Sequence, residues 1–155
     1  MAKDISLKGK AIAIVGMGSS WHDYNLAKSH GQHFDEVWAI NSVASVIFHD
    51  RVFMMDPPAR FLDSDDAGGQ TESMRKLLTT HQGPIYSCET DERCPGVVDY
   101  PIAEVVEESH CYYLNNTVAY AIAFGFWHEV GAISLFGIDF SYKGNLHFAE
   151  AGRGC

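Results

Sequence analysis

A chain of 155 residues, 46% hydrophobic and 12% aromatic, has the size of one packed domain, able to bury roughly two thirds of its unfolded surface without disulfide or metal staples. Its formal net charge of −9, with eleven scattered basic residues, argues against a nucleic-acid scaffold, which draws on clustered Lys and Arg. No apolar run approaches the roughly 20 residues of a membrane span, and the opening MAKDISLKGK has no apolar signal region, so the expectation is a cytoplasmic protein, one domain over 1–155, with no nucleic-acid partner and no membrane span. A small anionic ligand stays compatible with the charge, because backbone amides and one or two side chains suffice to hold a phosphate.

Along the chain, short apolar runs alternate with helical stretches, the pattern of strands joined by crossover helices. It predicts a three-layer α/β/α, Rossmann-like fold with a mostly parallel sheet. The first strand, Ala11–Val15, breaks into Gly16-Met17-Gly18-Ser19-Ser20-Trp21, with a helix over 23–30 behind it. An apolar strand delivering a glycine turn to a helix N-terminus suits a phosphate, since the first N–H groups of a helix are unpaired and carry partial positive charge. Trp21 stands where the dinucleotide fingerprint has its third glycine, and the second strand, 37–40, ends at Asn41 rather than at a ribose-gripping carboxylate. A standard nicotinamide cofactor is therefore disfavoured.

A helix over 42–48 and a strand over 52–55 follow, then Asp56-Pro57-Pro58. An acidic loop over 63–70 leads into a helix at Thr71–Thr80, a strand over 84–87 and a polar loop over 89–96. Helices over 103–108 and 117–130 come next, the second capped by Asn115-Asn116-Thr117, and a last strand spans 133–137. The tail 143–155 reads as loop where an open sheet would continue with another helix and strand, which suggests a C-terminally truncated form of a longer protein. Phe124, Phe126 and Trp127 fall on different faces of the long helix, which points to a homo-oligomer.

In an open parallel sheet the ligand sits beyond the carboxyl ends of the strands. Gly16, Gly18, Ser19 and Ser20 follow the first strand, Asn41 and Ser42 the second, Asp56 the third, and Gly137, Asp139, Ser141 and Tyr142 the last. Glycines admit close backbone approach, while amides and hydroxyls satisfy phosphate, ribose and base edges. Neither Ser19 nor Ser20 has the surroundings of an activated nucleophile. The four cysteines are too few and too unevenly spaced for a disulfide framework, and Cys88, Cys94, His110 and Cys111 match no common zinc spacing. Asp63, Asp65 and Asp66 read as a solvated loop, with Mg²⁺ beside a nucleotide as the alternative. His22 stands at the mouth of the glycine turn, His30, His33 and His128 read as helix-end residues, and His49-Asp50 as a surface turn.

Ala-Ile-Ala-Phe-Gly, a strand, and Gly137-Ile138-Asp139-Phe140 resemble the second half of the bacterial CMP-sialic-acid sialyltransferases and of a related group that includes archaeal pterin pyrophosphokinases. Both groups open with a strand and a Gly-Asn-Gly-Pro-Ser-Leu turn, in whose place this chain has Gly16 to Trp21. Asn41 matches the asparagine ending the second strand of the sialyltransferases, Asp56-Pro57 stands for their Asn-Pro, and their donor-contacting Thr-Ser-Gly falls on Asn116-Thr117-Val118.

The resemblance implies transfer of a group from an activated nucleotide donor such as a CMP-sugar, with Asn41, Asp56, Asn116 and Thr117 orienting the donor. Met17 replaces an asparagine that helps hold the donor nucleotide. Two tyrosines that support the departing phosphate fall on Ser141 and His147, and the general-base histidine of the sialyltransferases lies in a segment without counterpart here. His147 is then the candidate catalytic acid or base. Pyrophosphoryl transfer to a pterin-like acceptor, which would demand Mg²⁺, and a non-catalytic nucleotide-binding or sequestering protein are the alternatives.

Overall fold

Alternation along the strands sorts the apolar side chains onto two faces of one sheet. The computed structural model describes residues 1–139. Its six strands are β1 (Ala11–Val15), β2 (Glu36–Ile40), β3 (Arg51–Phe53), β4 (Ile85–Ser87), β5 (Val97–Asp99) and β6 (Ala132–Phe136). All pair in parallel, in the order β5-β4-β3-β2-β1-β6. Successive side chains of a strand point to opposite faces. Ala13, Val15, Val37, Ala39 and Val52 thus enter one core cluster, and Ile12, Ile14, Trp38, Ile40 and Phe53 the other.

A parallel sheet must be covered on both faces, and the helices divide accordingly. On the first face lie α1 (His22–Ser29), α2 (Ala59–Leu62) and α3 (Thr71–Thr80), which contribute Tyr24, Phe61, Met74, Leu77 and Leu78. On the second lie α4 (Ile102–Ser109) and α5 (Thr117–Trp127), with Val105, Ala121, Phe124 and Trp127. This is a Rossmann-like α/β fold. No helix among the described residues is long and apolar enough to cross a membrane.

Phe124 sits at the centre of the second face, its ring 4.6 Å from that of Tyr86, 5.4 Å from Phe53 and 5.7 Å from Trp38. Phe124 and Trp127 are core residues, whereas Phe126 is 59% exposed and lines an apolar groove beside β6 with Ile122, Ile133 and Leu135.

Four elements depart from the expected pattern, the first being the short helix α2, where the pattern predicts no helix after Asp56-Pro57-Pro58. The segment expected as a helix over 42–48 is a short 3₁₀ turn at Asn41–Ser45, entered through a left-handed Asn41. The long helix stops at Trp127 instead of 130, because Glu129 takes φ 57° and the amides of Glu129 and Val130 bond back to Phe126 and Gly125, a Schellman closure. Finally, β5 lies at the edge of the sheet where 97–99 showed only three residues after a proline-glycine turn, too few for a period-2 signal.

The chain order takes β1 to β5 outward in one direction and then returns past β1 to place β6 on its other side. The switch point between β1 and β6 is where such sheets open a crevice at their carboxyl edge.

Candidate functional site

At that switch point the protein fills the space itself. Glycine at position 18 leaves room for Asp139, whose Oδ2 would stand 2.6 Å from a Cβ there. The Asp139 carboxylate accepts hydrogen bonds from the Ser20 amide at 2.8 Å, from the Ser19 hydroxyl at 3.1 Å and from the Ser20 hydroxyl. These bonds, Ser20's first, hold its carboxyl below the usual range. The Gly18 amide donates to the Gly137 carbonyl at 2.7 Å, and the Gly137 amide donates to Ser20 Oγ at 3.1 Å.

An internal carboxylate thus stands at the helix-opening amides where a phosphate was expected. The chain also solves close packing differently from the dinucleotide fingerprint. Trp21 packs against the first-face core, and Gly137, at φ 66°, supplies the close approach from the opposite strand, where a Cβ would come within 2.9 Å of Trp21 Cβ. Gly16, Gly18, Ser19, Ser20, Gly137 and Asp139 are brought together as this closed junction.

Farther along the same edge the crevice is open. Two cavities meet at Asp56. The first, about 180 Å³, is lined by Asn41, Asp56, Arg60, Phe61, Ala67 and Gln70. The second, about 250 Å³, is lined by Met55, Asp56, Leu114, Asn115, Asn116, Thr117 and Tyr120. Asp56 is held from both sides: its carbonyl accepts the Ser87 hydroxyl at 2.9 Å, and its carboxylate pairs with Arg60 one helical turn on. That pair raises the Arg60 pKa above its ordinary value.

Asn41 follows β2 at φ 52°, a left-handed conformation asparagine tolerates better than most residues. Its Oδ1 is buried without a hydrogen-bond partner among the described residues. Ser42 is buried behind it, donating to Gln70 Oε1 at 3.0 Å and contacting Met17 of the glycine turn. Asn116 caps α5, its Oδ1 accepting the Ala119 amide at 3.0 Å.

The structure therefore places Asn41 and Asp56 in one cavity and Asp56, Asn116 and Thr117 in its neighbour, with Ser42 buried behind Asn41 and lining neither. Ser141, Tyr142 and His147 lie outside the described residues. Arg60 and Gln70 had gone unnoticed in the sequence. The first carried a signal, since Pro57-Pro58 can open a helix that sets Arg60 four residues after Asp56; Gln70 carried none.

The remaining candidates are engaged elsewhere. Asp63 pairs with Arg93 at 2.7 Å and Asp65 with Arg75 at 2.6 Å. His30 and His128 each bring Nδ1 to 2.8 Å from a carbonyl oxygen at their helix C-termini, but His33 is an exposed loop residue 3.6 Å from Asp35. His22 lies against the Trp21 ring. Cys88, Cys94 and Cys111 are free thiols. No family model, no curated protein and no solved structure matches the chain.

Proposed function

We propose that the chain binds a nucleotide at the carboxyl edge of its sheet and, as the likeness to the CMP-sialic-acid sialyltransferases implies, transfers a group from an activated donor such as a CMP-sugar. The convergence of Asn41, Asp56, Asn116 and Thr117, from three distant segments, on two cavities joined at Asp56 carries this assignment.

The chemistry follows from the elements that meet there. In the first turn of α5 the Ala119 amide is taken by Asn116 Oδ1, the N–H groups of Thr117 and Val118 have no acceptor within the helix, and Thr117 brings that turn to the wall of the second cavity. A donor phosphate placed there meets the positive end of the helix dipole, and the charge that grows on it as the sugar leaves is stabilised by groups already aligned. Glycosyl transfer breaks the bond between the sugar and the phosphate oxygen and forms one to an acceptor hydroxyl, whose proton needs a base; His147 is the candidate.

A second reading, a nucleotide-binding protein without turnover, is favoured by the junction at Asp139, which engages the turn that would otherwise clamp a phosphate.

Thermal-shift titration with CMP, CDP, UDP, ATP and NAD tests the binding. A ligand at a hundredfold its Kd contributes about 2.7 kcal/mol, which raises the Tm of a chain this size by roughly 5–10 °C. No shift from any of the five overturns the proposal, and binding that persists in the Asn41→Ala/Asn116→Ala double variant overturns the placement. Release of free sugar from a CMP-sugar separates an enzyme from a binder, and magnesium dependence separates pyrophosphoryl from glycosyl transfer.

A further inference from the structure

The first cavity has a donor and acceptor inventory that the glycine-turn junction lacks. Asp56 uses Oδ1 to hold Arg60, which leaves Oδ2 as an acceptor with no partner among the described residues. Gln70 uses its Oε1 to accept from Ser42, which leaves its amide N–H groups as donors. Asn41 lines the same wall, its Oδ1 buried behind the cavity surface rather than facing it. Arg60, among the described residues the one cation lining the cavity, is already offset by Asp56 and by Asp66, whose carboxylate lies 3.8 Å from its Nε.

A cavity with no net positive charge does not attract a phosphate, whereas alternating donors and acceptors match hydroxyl groups, each of which donates once and accepts as well. Two adjacent hydroxyls on a sugar ring present that alternation twice. The sequence ends β2 without the carboxylate that grips a ribose diol in dinucleotide-binding folds; here a carboxylate reaches the cavity beside Asn41 from the neighbouring strand, through Asp56 after β3.

We infer that Asp56, with Gln70, holds the 2′,3′-diol of a ribonucleotide, so that this protein selects ribose over deoxyribose. The inference rests on the nucleotide reading above and adds the sugar selectivity to it. Arg60 is a positioning residue: it keeps one carboxylate oxygen occupied and so aims the other at the ligand. The sugar then lies beside the cavity at the start of α5, as the covalent link between ribose and phosphate requires.

Isothermal titration of the full chain with matched pairs, CMP and 2′-deoxy-CMP, UMP and 2′-deoxy-UMP, AMP and 2′-deoxy-AMP, tests this. The expected result is a ribonucleotide that binds about 10- to 100-fold more tightly than its deoxy partner, the worth of a hydrogen bond to a charged group. That ratio should shrink toward one in Asp56→Asn and in Gln70→Leu, each first checked by circular dichroism for an intact fold. Equal binding of ribo and deoxy forms overturns the inference while leaving the nucleotide site standing. An unchanged ratio in two folded variants also overturns it. If no member of any pair binds, the nucleotide reading itself falls.

Discussion

Replacing Asp139 with asparagine keeps the size of the side chain and removes its charge, which isolates what the carboxylate contributes to the β1–β6 junction. Asp139 accepts from one amide and two hydroxyls, and an asparagine with its N–H₂ at the Oδ1 position meets the Ser20 hydroxyl, which can turn to accept, so the substitution removes the charge from these bonds. Hydrogen bonds to a charged group are worth about 1.5–3 kcal/mol and neutral ones about 1. Allowing for the partial exposure of this side chain, Asp139→Asn should cost about 1–2 kcal/mol, or roughly 2–8 °C in Tm for a chain of this length.

The pH dependence has a definite sign. The folded carboxyl titrates below the unfolded one, so its contribution is fully present above the unfolded value of about 3.9 and is lost as pH falls through the folded pKa. Differential scanning calorimetry of both proteins at pH 7 and near pH 3 reads this directly. The gap in Tm should be open at neutral pH and narrow in acid. Equal melting at pH 7, or a gap that does not change with pH, would refute the role assigned to the charge. Nucleotide affinity should be unchanged in Asp139→Asn, because the proposed phosphate position is the start of α5; tighter binding would mean that the glycine turn takes phosphate once the carboxylate is gone.

Two further outcomes test the packing and a histidine pair. Phe124→Ala removes a ring that is 1% exposed and touches Trp38, Phe53 and Tyr86, and should lose about 3–5 kcal/mol in urea unfolding; a loss under about 1 kcal/mol, the scale of a surface change, would contradict its central place. At the amino edge of the sheet, the Gly83 amide donates to His81 Nδ1 at 2.8 Å, the two Nε2 atoms lie 2.8 Å apart, and His49 Nδ1 lies 2.9 Å from the Ile47 carbonyl. That chain is satisfied when both rings are neutral, His81 Nε2–H donating to His49, and a proton on either ring sets N–H against N–H. Burial, then the neighbouring His49, lowers the His81 pKa. With the folded value below the unfolded, about 6.5, stability is full above that pH and declines as pH falls below it. The urea midpoint should fall between pH 7.5 and 5, and less steeply in His81→Gln; equal slopes would show that His81 does not titrate with folding.

Much of the scaffold was legible because its signals are local. The run Ala11–Val15 is apolar and ends in glycine, and it forms β1 over those same residues. Thr71–Thr80 shows helical spacing of Met74, Leu77 and Leu78, all buried in α3, and Asn116 has the chemistry of a cap and serves as one. Illegible elements lacked such signals. A three-residue edge strand has no measurable period, and the early stop of α5 depends on a left-handed Glu129, a residue type that gives no warning of it.

By itself, the amino-acid sequence determined where the longer strands and helices lie, which residues are apolar enough to bury, and that polar residues follow the strands. Those properties reside in stretches of a few residues, within reach of periodicity and capping. Only the tertiary structure decided that Asp139 closes the glycine turn from 119 residues away, that Asp56 joins two cavities, and that Arg60 and Gln70 share a wall with Asn41. Such contacts are set by strand order and by the faces on which the crossover helices land, and nothing in the spacing of residues along the chain encodes them locally.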